Sequence, residues 1–291
     1  MLTGLPTLHD MDTPPAPSPT ASDPFGAHLR YWRTRRRMSQ LDLAAAADLS
    51  TRHLSYVETG RAMPSREVVL RLSDRLDVPL RERNALLVAA GYAPMFQQRA
   101  FQDQGMRMAR QAIELVLKGH EPYPALAVDR HWQMVHANAV VPLLLATVSP
   151  ALLVPPVNVL RLSLHPDGLA PQVVNLRAWR DHLLRRLQQQ IALTGDEVLI
   201  RLHDELAGYP MPVALDDPAA IHHDLGDLAT TVQLRTPAGV LSFITTTTVF
   251  GSAVDVTLQE LAIESLFPAD EATAMALRQL MAPGVALQTR P

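Results

Sequence analysis

Between Pro24 and Ala90 the sequence breaks into short apolar-periodic segments, each opened by a cap residue and closed by a turn residue. That punctuation restricts this stretch to a compact bundle of small helices. The spacing predicts five. The first runs from about Phe25 to Arg37, with Leu29 and Trp32 inward and Arg30, Arg33, Arg35, Arg36 and Arg37 mostly elsewhere. The second starts at Ser39, where Ser39-x-x-Asp42 has capping-box spacing before Leu41, Leu43 and the alanines 44–47. After a break at Asp48-Leu49-Ser50, Ser50 is a good N-cap for a third helix carrying Leu54 and Val57 on one face, and Gly60 ends it. A fourth helix follows Pro64-Ser65 with Val68, Val69, Leu72 and Leu76 inward, and a fifth runs from Leu80 to Ala90 before Gly91.

A chain of 291 residues is long enough for two cores, and its 47% hydrophobic and 19% charged content is that of a folded globular protein. The net charge of -3 conceals an asymmetry: residues 24–94 hold 12 arginines against 7 acidic side chains, while residues 95–291 are net acidic. The basic part, the part that would suit phosphates, is therefore local. The absence of cysteine excludes disulfides, thiolate metal sites and cysteine nucleophiles, and fits the cytoplasm. The most apolar stretch, Val140 to Val157, is interrupted by Pro142, Pro150, Pro155 and Pro156, so no membrane span is expected. Residues 1–23, with Pro14, Pro15, Pro17 and Pro19, read as a disordered leader.

The organisation expected is a multidomain one. Residues 24–94 form an all-α five-helix domain, residues 95–119 a linker with a connector helix from Gly105 to Lys118, and residues 120–291 an α/β domain. In the last, alternating or apolar runs at Ala125 to Val128, Trp132 to His136, Leu160 to Leu164, Val232 to Leu234 and Val240 to Phe250 predict strands. Helical patterns cover Asn175 to Thr194, Glu197 to Ala207 and Asp270 to Met281.

The ordered set Ser39-Gln40, Leu43-Ala44, Asp48-Leu49-Ser50, Leu54, Val57-Glu58, Gly60 and Pro64-Ser65 resembles the helix-turn-helix of the Cro-type, or XRE, family of transcription regulators. In that family the third helix enters the major groove, whose width of about 12 Å admits a helix. The resemblance assigns base contacts on double-stranded DNA to Gln40, Thr51, Arg52, Ser55 and Tyr56 and backbone contacts to Ser50, Arg61 and Arg66. Arg52 has the donor geometry to take a guanine edge. Arg33 and Glu58 match a pair that is ion-paired in several repressors of this fold. Asp48 stands where glycine is usual, and aspartate tolerates the left-handed backbone the turn needs.

The stretches ALAVDRHWQMVHAN (125–138) and NVLRLSLHP (158–166), with the helix carrying Trp179 and Leu183, resemble the ligand-binding domain of MmyB-like transcription regulators. The resemblance implies a PAS-like α/β fold and an effector, a small apolar or fatty-acid-like molecule. If 160–165 is a strand, Arg161, Ser163 and His165 share one face, and Arg161 with His165 could hold an anionic head group or simply be surface and cap residues. Asn138 reads as a helix cap, and Trp132 and Trp179 as core residues or pocket walls.

His222, His223 and Asp224 are metal-ligand types, but consecutive residues rarely converge on one ion, so no metal site is assigned. No phosphate loop, G-x-S-x-G elbow or H-E-x-x-H occurs, so neither cofactor nor enzymatic activity is expected. The expectation is a cytoplasmic, homodimeric, ligand-responsive regulator of transcription. The alternative is a DNA-bound protein-interaction module without an effector.

Overall fold

The computed structural model describes residue 19 and residues 23–211, 231–251 and 253–282. These make two units, one formed chiefly by residues up to Phe96 and the other chiefly by those from Gln97 onward. The first is a bundle of α1 (Phe25–Arg35), α2 (Gln40–Ala46), α3 (Thr51–Glu58), α4 (Arg66–Arg75) and α5 (Leu80–Ala89). Serine hydroxyls start three of them: Ser39 accepts from Asp42 N–H in a reciprocal capping box, Ser50 from His53 N–H and Ser65 from Val68 N–H.

All five helices end the same way. The residue after each C-cap is left-handed: Arg37 (φ 53°), Asp48 (52°), Gly60 (73°), Asp77 (46°) and Gly91 (81°). The next N–H then reaches back to a carbonyl five residues earlier, as Leu49 does to Ala44 at 2.9 Å and Arg61 to Tyr56 at 2.8 Å. This Schellman closure satisfies carbonyls that a helix end leaves open. It also turns the chain sharply enough for Phe25, Leu29, Trp32, Leu43, Leu54, Val57, Val69, Leu72, Leu86 and Leu87 to share one core. Helices α1 and α3 approach closely. A β-carbon on Gly26 would lie 2.2 Å from the Glu58 carbonyl oxygen, so only glycine fits there.

The second unit centres on an antiparallel sheet in the order β2-β1-β5-β4-β3, made of β1 (Ala125–Val128), β2 (Met134–Ala137), β3 (Thr231–Thr236), β4 (Gly239–Val249) and β5 (Ala262–Pro268). Its helices are α6 (Arg107–Gly119), α7 (Val141–Leu144), α8 (Val159–Leu164), α9 (Leu176–Thr194), α10 (Glu197–Ala207), α11 (Val256–Gln259) and α12 (Glu271–Leu280). Period-2 alternation divides the sheet. Ala125, Ala127 and Ile263 pack with Ile113 and Leu117 of α6, whereas Val128, Val232, Leu234 and Phe243 join a second cluster with Trp179, Leu183 and Leu187 of α9. The expected connector helix is thus seated on the sheet.

Three expectations are corrected. Residues 160–164 are helix α8 and not a strand, because Asn158 caps them, its side chain accepting from Leu160 and Arg161 N–H at 3.1 Å each. The strand expected over Trp132 to His136 is displaced to Met134–Ala137, and Trp132 sits at φ 64° in the turn before it. That turn is tied by the Asp129 carboxylate, which accepts from His131 and Gln133 N–H.

Asn138 does not cap the following helix, which has no side-chain cap. Its Oδ1 accepts from Ala125 N–H at 3.2 Å and its Nδ2 donates to the carbonyls of Leu117 (3.2 Å) and Tyr123 (2.8 Å), joining the end of α6 to β1. The centrally placed β5 was not predicted from the sequence.

Candidate nucleic-acid interface and ligand cavity

In α3 the apolar residues Leu54 and Val57 are fully buried and the positions between them point outward. Thr51 and Arg52 are exposed, Ser55 and Tyr56 half-buried. Arg52 Nε donates to the Tyr56 hydroxyl at 3.0 Å, and the guanidinium carbons of Arg52 and Arg61 lie 5.4 and 6.0 Å from the Tyr56 ring centre. Three of the residues expected at DNA therefore form one outward-facing cluster. Ser50 uses its hydroxyl as the α3 cap, and Arg66 is exposed at the first position of α4.

Gln40 and Glu58 tie α2 to the end of α3. Glu58 is buried and accepts from Arg33 Nε (2.6 Å) and Nη2 (3.0 Å) and from Gln40 Nε2 (2.7 Å), with Arg30 at 3.7 Å. Burial alone would push its carboxyl up. The hydrogen bonds from Arg33 and Gln40 and the arginine charges outweigh burial and hold it below the ordinary carboxylate range. The pair expected from resemblance is thus present, and Gln40 is drawn into it.

The second unit contains an apolar cavity of about 140 Å³ between the sheet, α8 and α9. Leu126, Trp132, Leu144, Leu160, Trp179, Leu183 and Leu234 are among its walls. Further apolar hollows of about 370 and 400 Å³ border α7 and share Val141 or Leu144 with it.

Its polar side is Ser163, Thr245, Arg186 and Glu264. Ser163 accepts from Trp179 Nε1 at 2.8 Å. Arg186 forks onto buried Glu264, Nη1 to Oε2 at 2.9 Å and Nη2 to Oε1 at 2.7 Å, and lies 4.5 Å from the centre of the Trp132 ring. Burial and the neighbouring Arg186 and Arg185 charges push the imidazole of His182, stacked on Trp179, down.

Arg161 and His165 are placed elsewhere. Arg161 makes a bidentate pair with Glu205 on α10, both contacts 2.7 Å, which holds the Glu205 carboxyl low. His165 ends α8, accepts from Asp167 N–H and packs edge-on against Tyr209. Neither lines the cavity. Trp132 and Trp179 are both core and cavity wall. Arg186 and Glu264 escaped the sequence reading because they meet only when α9 crosses β5. His222, His223 and Asp224 lie outside the described residues. Among the described residues no helix is long and apolar enough to cross a membrane.

A capped helix-turn-helix bundle joined to a helix-covered sheet with an apolar cavity defines a class, the helix-turn-helix transcription regulators with a ligand-binding domain. The chain belongs to the family described as "MmyB-like transcription regulator ligand binding domain", whose model matches residues 109–280, and a helix-turn-helix domain model matches residues 24–86.

Curated relatives include uncharacterized HTH-type transcriptional regulators of Mycobacterium bovis and Mycobacterium tuberculosis, each 33% identical over 125 residues, or 43% of this chain and 49% of the relative. The chain therefore spans about half the length of the curated relatives it matches. An RNA-binding light-oxygen-voltage receptor of known structure aligns over 87% of this chain and 62% of its own, at a TM-score of 0.25 and 13% identity, a likeness too slight to support an argument.

Proposed function

We propose that this chain is a cytoplasmic, ligand-responsive transcription regulator without enzymatic activity, which reads double-stranded DNA with α3 and binds a small, largely apolar effector in the cavity beneath the sheet. The observation that carries this reading is the outward cluster Thr51, Arg52, Ser55 and Tyr56 on a short helix whose other face is buried and whose ends are both capped. Ser50, Arg61 and Arg66 flank it as phosphate contacts and Gln40 stands at its edge. The cavity favours an effector over a purely protein-binding second unit.

The test begins with in vitro selection of a preferred site. Arg52→Ala is then expected to lose about 1–3 kcal/mol of affinity for that site and to relax selectivity at one base pair, whereas Arg66→Ala weakens all sequences alike. Unchanged site affinity in the Arg52 variant removes α3 as the reading helix.

The homodimer in this proposal rests on α6. Ile113 and Leu117 face the sheet, yet Met108 (79% exposed) and Leu115 (72%) form an apolar stripe on the opposite side, with Val116 (49%) at its flank. A surface helix ordinarily carries one apolar stripe, and a second one calls for a second cover. Another copy of α6 supplies it with the two-fold symmetry that a palindromic site requires. Light scattering at micromolar concentration is expected to give a dimer for the native chain and a monomer for Leu115→Glu. A native monomer, or a dimeric Leu115→Glu, would place the dimer surface elsewhere or abolish it.

A further inference from the structure

We infer that Tyr56 acts on DNA through Arg52, holding its guanidinium so that α3 reads a guanine, and is a positioning residue where the resemblance makes it a base contact. This rests on the reading of α3 as the DNA-reading helix and goes beyond it by naming the base and the residue that fixes the choice.

Spacing comes first. Arg52 and Tyr56 stand one helical turn apart on α3, so their side chains share its outward face. Arg52 Nε donates to the Tyr56 hydroxyl at 3.0 Å, and its guanidinium carbon lies 5.4 Å from the ring centre. The ring is itself held. Tyr56 is half-buried, and Arg61, whose backbone N–H donates to the Tyr56 carbonyl at 2.8 Å, places its guanidinium carbon 6.0 Å from the same centre. Arginines of α1 are committed inside the bundle, Arg33 to Glu58 and the Met38 carbonyl and Arg36 to the carbonyls of Leu76 and Asp77. Arg52 instead makes its hydrogen bond to another outward side chain.

An arginine presents its N–H donors in a rigid fork, and the bond to Tyr56 occupies the one on Nε. The donors of Nη1 and Nη2 remain at the tip. A base edge that matches them must offer two adjacent acceptors in the major groove, and guanine, with N7 and O6, is the base that does. Adenine sets an amino donor beside its N7, cytosine presents an amino donor, and thymine sets a methyl group beside its single acceptor. A loose arginine loses rotamer freedom when it meets a base. One already fixed by a hydroxyl and a ring has less to lose, and the advantage falls to the base that fits the fixed fork. Tyr56 thereby raises selectivity at the base pair that Arg52 reads.

The experiment is in vitro selection with the full-length native protein, Arg52→Ala, Tyr56→Phe and the double variant, followed by affinity measurement on the selected duplex. Guanine is expected at the position that Arg52→Ala relaxes, and replacing it by 7-deazaguanine, which lacks the N7 acceptor, should weaken native binding by about tenfold. Tyr56→Phe keeps the ring and removes the hydroxyl. It is expected to lower the guanine preference at that same position by about threefold and to add nothing, within about twofold, to the loss in Arg52→Ala. Another base at that position, or indifference to 7-deazaguanine, overturns the guanine assignment. Tyr56→Phe that keeps the native guanine preference, shifts preference at a different position or weakens Arg52→Ala further overturns the positioning role, as does a Tyr56→Phe chain that no longer folds. A native protein that selects no sequence, or Arg52→Ala with unchanged site affinity, removes the α3 reading and this inference with it.

Discussion

Glu58→Ala is expected to destabilise the helix-turn-helix unit by about 3–5 kcal/mol, the range for removing one partner of a buried ion pair. The carboxylate receives two donors from Arg33 and one from Gln40, and alanine leaves the largely buried guanidinium facing a void at the junction of α1, α2 and α3. Hydrogen exchange on the full-length protein is the measure, with protection lost through α1–α5, which share one core, as the expected pattern. Protection equal to that of the native chain would show that the pair contributes nothing.

The same residue predicts a pH dependence. Its folded carboxyl is held below the ordinary range, so its contribution is complete above the unfolded value and disappears as pH falls through the lower, folded one. Acid should therefore loosen this unit in the native chain and change Glu58→Ala less.

Asn138→Ala carries the largest expected effect in the second unit, about 3 kcal/mol, from leaving buried backbone groups short of partners at roughly 1–3 kcal/mol each. The side chain is 6% exposed and bridges Ala125 N–H, the Leu117 carbonyl and the Tyr123 carbonyl. Asn138→Asp separates hydrogen bonding from volume, because it keeps the acceptor for Ala125 while turning an oxygen toward two carbonyls. It is expected to be at least as damaging. A denaturant melt that left Asn138→Asp as stable as the native protein would mean that the network is not what joins α6 to β1.

Much of the first unit was legible because its rules are local. Ser39, Ser50 and Ser65 cap the helices that follow them, Asp48 and Gly60 take the left-handed turn, and Arg33 meets Glu58. Even there, nothing in the sequence marked Arg37 and Asp77 as left-handed, since neither side chain favours that backbone as glycine does.

The second unit is less legible for the same reason in reverse. The alternation of Leu160, Leu162 and Leu164 imitates a strand, but the Asn158 cap, which satisfies two N–H groups at once, and burial on several sides make a helix out of it. The central strand β5 carries Glu264 and Ser265 within an apolar run and so lacks the pattern of a buried strand. Its glutamate is tolerable only because Arg186, 78 residues away in the chain, covers it.

What the sequence determined by itself is the helix-turn-helix bundle, the outward face of α3 and the two-unit plan, because caps, turns and helical periodicity act over a few residues. What only the tertiary structure decided is the cavity and its polar wall. Arg186, Glu264 and Ser163 come from three separate elements and Trp132 from the turn before a fourth. Whether a buried charge is neutralised depends on contacts between residues that no local pattern relates.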